Sequence, residues 1–165
     1  MFVVTLFSCG DGDILDFELD FDQELDLCGG INSENYLVYD VKTDPNQSLI
    51  LLFPGSDTND LIFFPNETPH EGSLTINGSS IRANYRDYDG DPLEIICQDI
   101  PSSEVNVTTD YEASTGTISY VTTFVDDVDT RTVTTIFQVL NTDIEILTAD
   151  GITIGTYTHS YPIED

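Results

Sequence analysis

The chain is poor in positive charge. It has four basic residues, Lys42, Arg82, Arg86 and Arg131, against 31 acidic ones, and a formal net charge of −27. A field of that sign repels phosphate backbones, so nucleic acid is excluded as a partner. It repels anionic headgroups as well, so a membrane can hold the chain only through a covalent lipid. Tryptophan is absent, which removes the strongest stacking platform for a glycan. There are two histidines, His70 and His159, and neither lies near a serine-elbow or cysteine motif of nucleophilic catalysis. No Gly-rich loop follows a strand, and no apolar run approaches the about 20 residues that span a bilayer.

What is present begins at the N-terminus. Residues 1–7 are apolar apart from Thr5 and run into Leu6-Phe7-Ser8-Cys9, which reads as the end of a lipoprotein signal peptide: an apolar run, a small residue, then a cysteine that takes the lipid. The segment lacks the usual basic residues, and Phe7 is bulky for its place. The expected organisation is a partial signal peptide over 1–8, a lipidated Cys9 with an acidic tether over 9–13, and one domain over 14–165.

Three cysteines then divide simply. Lipidation consumes Cys9 and leaves Cys28 and Cys97 as an even pair in an exported chain, which predicts a disulfide. Two buried thiols are the alternative; zinc is not expected, because no histidine stands at ligand spacing.

Cys9-Gly10-Asp11-Gly12-Asp13 resembles the acidic segment after the lipidated cysteine in surface-exposed lipoproteins of Bacteroidota, flavobacteria in particular. Leu15-Asp16-Phe17-Glu18-Leu19-Asp20-Phe21-Asp22, Leu27-Cys28-Gly29, Ile96-Cys97-Gln98-Asp99-Ile100-Pro101 and Gly155-Thr156-Tyr157 are similar to small lipoproteins of that group. The resemblance implies an address, anchored in the outer membrane and facing outward, and supplies no activity to carry over.

The body of the chain alternates with period 2. Residues 15–21 place Leu15, Phe17, Leu19 and Phe21 on one face and acids on the other. Strands are predicted over 36–41, 48–53, 61–64 and 93–97. Hairpins are predicted around Asn77-Gly78-Ser79, around Ala113-Ser114-Thr115-Gly116 and across 126–131. A last pair, 144–148 with 152–158, is expected across Ala149-Asp150-Gly151. No segment keeps a 3.6-residue period. About nine to eleven short strands argue for an all-β antiparallel β-sandwich of immunoglobulin-like character, with a lipocalin-like up-and-down barrel as the alternative.

The best candidate for chemistry is Asp87-Tyr88-Asp89-Gly90-Asp91 with Glu94. Alternate carboxylates around a glycine turn suit Ca²⁺, which takes about six to eight oxygens. The flanks are not helical and the glycine precedes the third Asp, so this is no EF-hand. Tyr88, inside the turn, is the aromatic expected to stand exposed beside such a site, more so than Tyr85, Tyr111 or Tyr120. Asp126, Asp127 and Asp129 form a second acidic tip, with Arg131 offsetting part of its repulsion. Arg82 and Arg86 lie on one strand face and are expected to neutralise carboxylates.

Three functions remain from this reading. The first is a lipid-anchored surface domain with a structural or protein-binding role and no catalysis. The second is a Ca²⁺-dependent glycan-binding module at residues 87–94. The third is a hydrolase whose paired carboxylates, about 5–9 Å apart, no motif singles out.

Overall fold

The computed structural model describes residues 23–56, 58–143 and 152–163. The lipobox, the acidic tether and the strand expected over 15–21 lie outside the described residues, as does the segment 144–151.

Ten strands are described: β1 (Gln23–Glu24), β2 (Asp26–Cys28), β3 (Asn35–Thr43), β4 (Asn46–Pro54), β5 (His70–Thr75), β6 (Arg82–Tyr88), β7 (Val107–Glu112), β8 (Thr117–Asp126), β9 (Thr130–Leu140) and β10 (Ile152–Pro162). They form two five-stranded sheets, β1-β10-β9-β8-β5 and β2-β3-β4-β6-β7. All pairings are antiparallel except the two-residue parallel contact of β1 with β10. The sheets pack face to face as a β-sandwich, and neither closes into the alternative barrel.

The alternation seen in the sequence builds the core between them. Val38, Leu49, Leu51, Phe53, Ala83 and Tyr85 from one sheet meet Leu74, Ile118, Tyr120, Phe137, Val139 and Ile154 from the other. Leu25 marks where the chain switches sheets between β1 and β2. Its side chain is buried and its N–H donates to Thr156 O at 2.9 Å.

Four expectations change. Residues 61–64 are not a strand. Asp60–Ile62 is a 3-10 turn that drives Ile62 and Phe63 into the core, where Phe63 lies 4.6 Å from the Tyr36 ring. The carbonyl of Ile62 is met there by two buried hydroxyls, Thr122 at 3.1 Å and Thr135 at 3.0 Å. Residues 93–97 are not a central strand either: Pro92 opens a 3-10 turn, Pro92–Glu94, capped by the Asp91 side chain.

The two hairpins expected at Asn77-Gly78 and at 113–116 are corners between the sheets. β5 pairs with β8, and β6 pairs with β4 and β7. Residues 70–88 and 107–126 therefore run as one antiparallel ribbon, bent around the sandwich edge. Each bend is held by a side chain. Asn77 Oδ1 accepts from the N–H groups of Ser79, Ser80 and Ile81 at 3.0–3.1 Å. Asp143 accepts from the N–H groups of Ser114 and Thr115 at 2.9 and 3.1 Å, and from the Ser114 hydroxyl. The β8–β9 hairpin across 126–131 forms as expected.

Candidate functional site

The loop of the bent ribbon, residues 89–106, carries Asp89, Asp91 and Glu94 of the first acidic candidate. It folds back over the outer face of the β2-β3-β4-β6-β7 sheet rather than projecting into solvent. Outward positions on a sandwich are ordinarily polar. Here Tyr39, Ile50 and Tyr88 point outward and make a second hydrophobic cluster with Ile96 and Val105 of the loop, flanked by Leu37, Val41, Ile95 and Cys28. The turn Pro92–Glu94 packs on β3 and β4. Cys97 bonds to Cys28 on the edge strand β2, with 5.4 Å between Cα atoms. The disulfide expected from cysteine counting thus pins a flap.

That setting explains what each acidic side chain does. Asp87 Oδ1 accepts from Gln47 Nε2 at 3.0 Å and from the Tyr85 hydroxyl at 2.8 Å. The Tyr85 pKa rises because its ring is buried and because Asp87 disfavours the phenolate. Asp89 closes the neck of the flap: Oδ1 accepts from Asn106 N–H at 2.6 Å and Oδ2 from Asn106 Nδ2 at 2.9 Å. These bonds to the charged form hold the Asp89 carboxyl below the usual carboxylate range. Asp91 Oδ1 accepts from Leu93 N–H at 2.9 Å as the N-cap of the turn. Glu94 is exposed, and its backbone carbonyl accepts from Ser102 N–H.

The structure therefore does not bring Asp87, Asp89, Asp91 and Glu94 together. Among the described residues, no group of three or more His, Cys, Asp or Glu side chains gathers to hold a metal ion.

Tyr88 reverses its expectation. It is 7 % exposed, and its hydroxyl lies 2.7 Å from Ser48 Oγ. The reason is the flap, which covers an outward position the sequence reads as open. Tyr85 and Tyr120 are buried, whereas Tyr111 on the edge strand β7 is half exposed.

The basic residues neutralise acids as expected. Arg86 Nη2 stands 2.9 Å from Asp110, and Arg82 lies 3.9 Å from Glu112. Burial raises the Asp110 pKa, but hydrogen bonds from Arg86 and Asn84 outweigh it and leave the group lowered. Arg131 grips Asp126 with two nitrogens, at 2.6 and 2.9 Å, and lies 3.6 Å above the Phe124 ring. The second acidic tip is thus partly discharged.

Among the described residues, neither histidine stands in hydrogen-bond contact with a serine or cysteine nucleophile. His70 Nε2 is 3.5 Å from the Tyr120 hydroxyl. His159, on β10, is half-buried. Its ring faces Phe63, Phe64, Tyr157 and Tyr161. Nε2 donates to Phe63 O at 2.9 Å, while Nδ1 is buried with no partner among the described residues. Desolvation lowers its pKa, opposed only in part by the Phe63 carbonyl.

A groove of about 320 Å³ is lined by Ser33, Tyr36, Ser56, Asp60 and Phe64 among others. The Tyr36 hydroxyl there already donates to Asp60 at 2.7 Å.

Sequence reading missed Asn106, Ser48 and Asp143. Each partners a residue 17 to 40 positions away, and no local motif signals such a contact. Comparison with protein-family models, curated proteins and solved structures found no match.

Proposed function

We propose that the chain is a non-enzymatic domain, carried at the cell surface on a lipid at Cys9, that docks a partner protein on the outer face of the β1-β10-β9-β8-β5 sheet. One observation carries the binding role. The outward positions of the three central strands are Thr117, Ser119, Val121, Thr123 and Val125 on β8, Thr132, Thr134, Ile136, Gln138 and Leu140 on β9, and Thr156, Thr158 and Ser160 on β10. None is charged, in a chain whose net charge is −27.

Val121 and Ile136 face each other at the middle of this surface, and Val125 at one end is 73 % exposed. On the three central strands a partner meets no carboxylate, and acids border the face only on its edge strands, Glu71 opposite Val121 and Glu24 opposite Thr156, so docking strips water from few charges. The methyl and hydroxyl groups suit a neutral, partly apolar protein surface. The address is supported by the Cys28–Cys97 pairing, which suits an oxidising compartment and leaves Cys9 for the lipid.

The test is made in the source cell. A photo-crosslinking residue at Ile136 should capture one partner protein, Thr134→Asp should abolish the capture, and the same probe at Glu112 should give none. Equal capture from both positions, or none from Ile136, sinks the docking face. Labelled palmitate should enter the chain and be lost in Cys9→Ala. An unlabelled, soluble chain overturns the anchor and leaves the docking face to stand by itself.

A further inference from the structure

We propose that residues 89–106 are a redox-released flap: reduction of the Cys28–Cys97 disulfide frees the loop and bares the apolar outer face beneath it. The face is built in advance. Tyr39 and Ile50 on the central strands β3 and β4, with Tyr88 at the end of β6, are buried in one cluster with Ile96 and Val105 of the flap.

The ties within the flap hold it to itself. Ser102 N–H donates to Glu94 O at 3.0 Å, Gln98 Nε2 to Leu93 O at 2.9 Å, and Asp89 N–H to Asn106 O at 3.1 Å. Between flap and sheet the described ties are the apolar contact and the disulfide. A loop resting on a sheet through one covalent bond and a small cluster is a unit of low local stability once the bond is cut.

Two further features place the release at Cys97. The residue lies at the surface of the fold, open to an incoming thiolate. Its φ is +63°, in the left-handed region that a non-glycine residue occupies at a cost. Cutting the bond lets that backbone relax.

The step balances with a dithiol as reductant. Its thiolate attacks Cys97 Sγ, the Sγ–Sγ bond breaks, and Cys28 leaves as a thiolate that takes up a proton. The donor's second thiol then resolves the mixed disulfide. The donor ends as a disulfide and the chain as two thiols, two electrons having passed.

The experiment compares the oxidised chain with the chain reduced by dithiothreitol, using hydrogen exchange read by mass spectrometry and binding of a hydrophobic dye. Reduction should speed exchange over 89–106 at least tenfold and raise dye binding, while β8 and β9 keep their protection. The Cys28→Ser/Cys97→Ser double variant should behave as the reduced chain without reductant, and reoxidation of the wild type should restore the closed state. Retained protection of the flap after reduction overturns the proposal. So does a loss spread equally through β8 and β9, which makes the bond a staple of the whole fold.

Discussion

Asp89 and Asn106 clasp each other at the neck of the flap, through the two Asp89 carboxylate oxygens and through backbone. Asp89 thus spends both oxygens on protein donors. Asp89→Ala is expected to lower the melting midpoint of the oxidised chain, and Asn106→Ala to do the same. The double variant should fall little further, because the two act as one contact. Wild type should melt at the same temperature in EDTA and in millimolar Ca²⁺. A rise with Ca²⁺ that Mg²⁺ does not reproduce, absent in Asp89→Ala, would return residues 87–94 to the role of cation ligands.

The corner at Ser114 gives a pH dependence. The Ser114 hydroxyl, with the N–H groups of Ser114 and Thr115, holds the Asp143 pKa down at about 2, against about 3.9 in an unfolded chain. A depressed carboxyl contributes stability that is full above the unfolded value and is lost as pH falls through the folded one. Wild type should therefore exceed Asp143→Ala in stability at pH 5 and above. That advantage should shrink between about pH 4 and pH 2, as measured by melts of both proteins across the window. A constant difference would show that the carboxylate charge is not what holds the bend.

His159 titrates in a higher window. Desolvation among aromatic rings lowers its pKa from the ordinary 6.5, because protonation would place a charge beside a buried Nδ1 that has no acceptor among the described residues. Its contribution to stability is full above about pH 6.5 and is lost as pH falls below it. In His159→Phe the difference from wild type should thus be largest at neutral pH and shrink toward pH 5. Proton NMR should find the His159 ring titrating below its ordinary value, and a value above it contradicts the sealed setting.

Thr122 and Thr135 lie 2.9 Å apart with both hydroxyls on the Ile62 carbonyl. Either valine variant leaves one donor in place and should cost about 1 kcal/mol. The double variant Thr122→Val/Thr135→Val leaves a buried carbonyl without a described partner. It should cost more than the two singles together, by about 1–3 kcal/mol. Urea denaturation of the four proteins measures this; simple additivity would mean that water or a backbone shift satisfies the carbonyl.

The class of fold was legible because alternation is a local signal: residues 36–41, 48–53 and 132–140 lie within the β3, β4 and β9 strands. Partnering was not. Asn77-Gly78 reads as a tight hairpin from either side, yet Leu74 and Ile76 face the core from one sheet and Ala83 and Tyr85 from the other. Period 2 fixes which side of a strand is buried and says nothing of which sheet holds it. Residues 61–64 and 93–97 failed for a related reason. A short apolar run satisfies a strand, a turn plunging into the core, or a loop laid on a sheet equally well. The cysteine pairing succeeded because it needed only arithmetic, whereas its meaning, a fastened flap, rests on the apolar outward face of β3 and β4.

The bent ribbon also sets the order in which the strands of each sheet become available. The sheet β2-β3-β4-β6-β7 draws on residues 26–112, so all its strands exist once the first two thirds of the chain have been made or exported. β1 and β5 belong to the other sheet, and their neighbours β10 and β8 arrive last. Until then Leu49, Leu51, Phe53 and Tyr85 lack the Ile118, Tyr120, Phe137, Val139 and Ile154 side chains that oppose them in the finished core. A chain halted before residue 117 would hold all strands of one sheet with most of its inner face uncovered, a state open to chaperone binding or sheet-to-sheet aggregation.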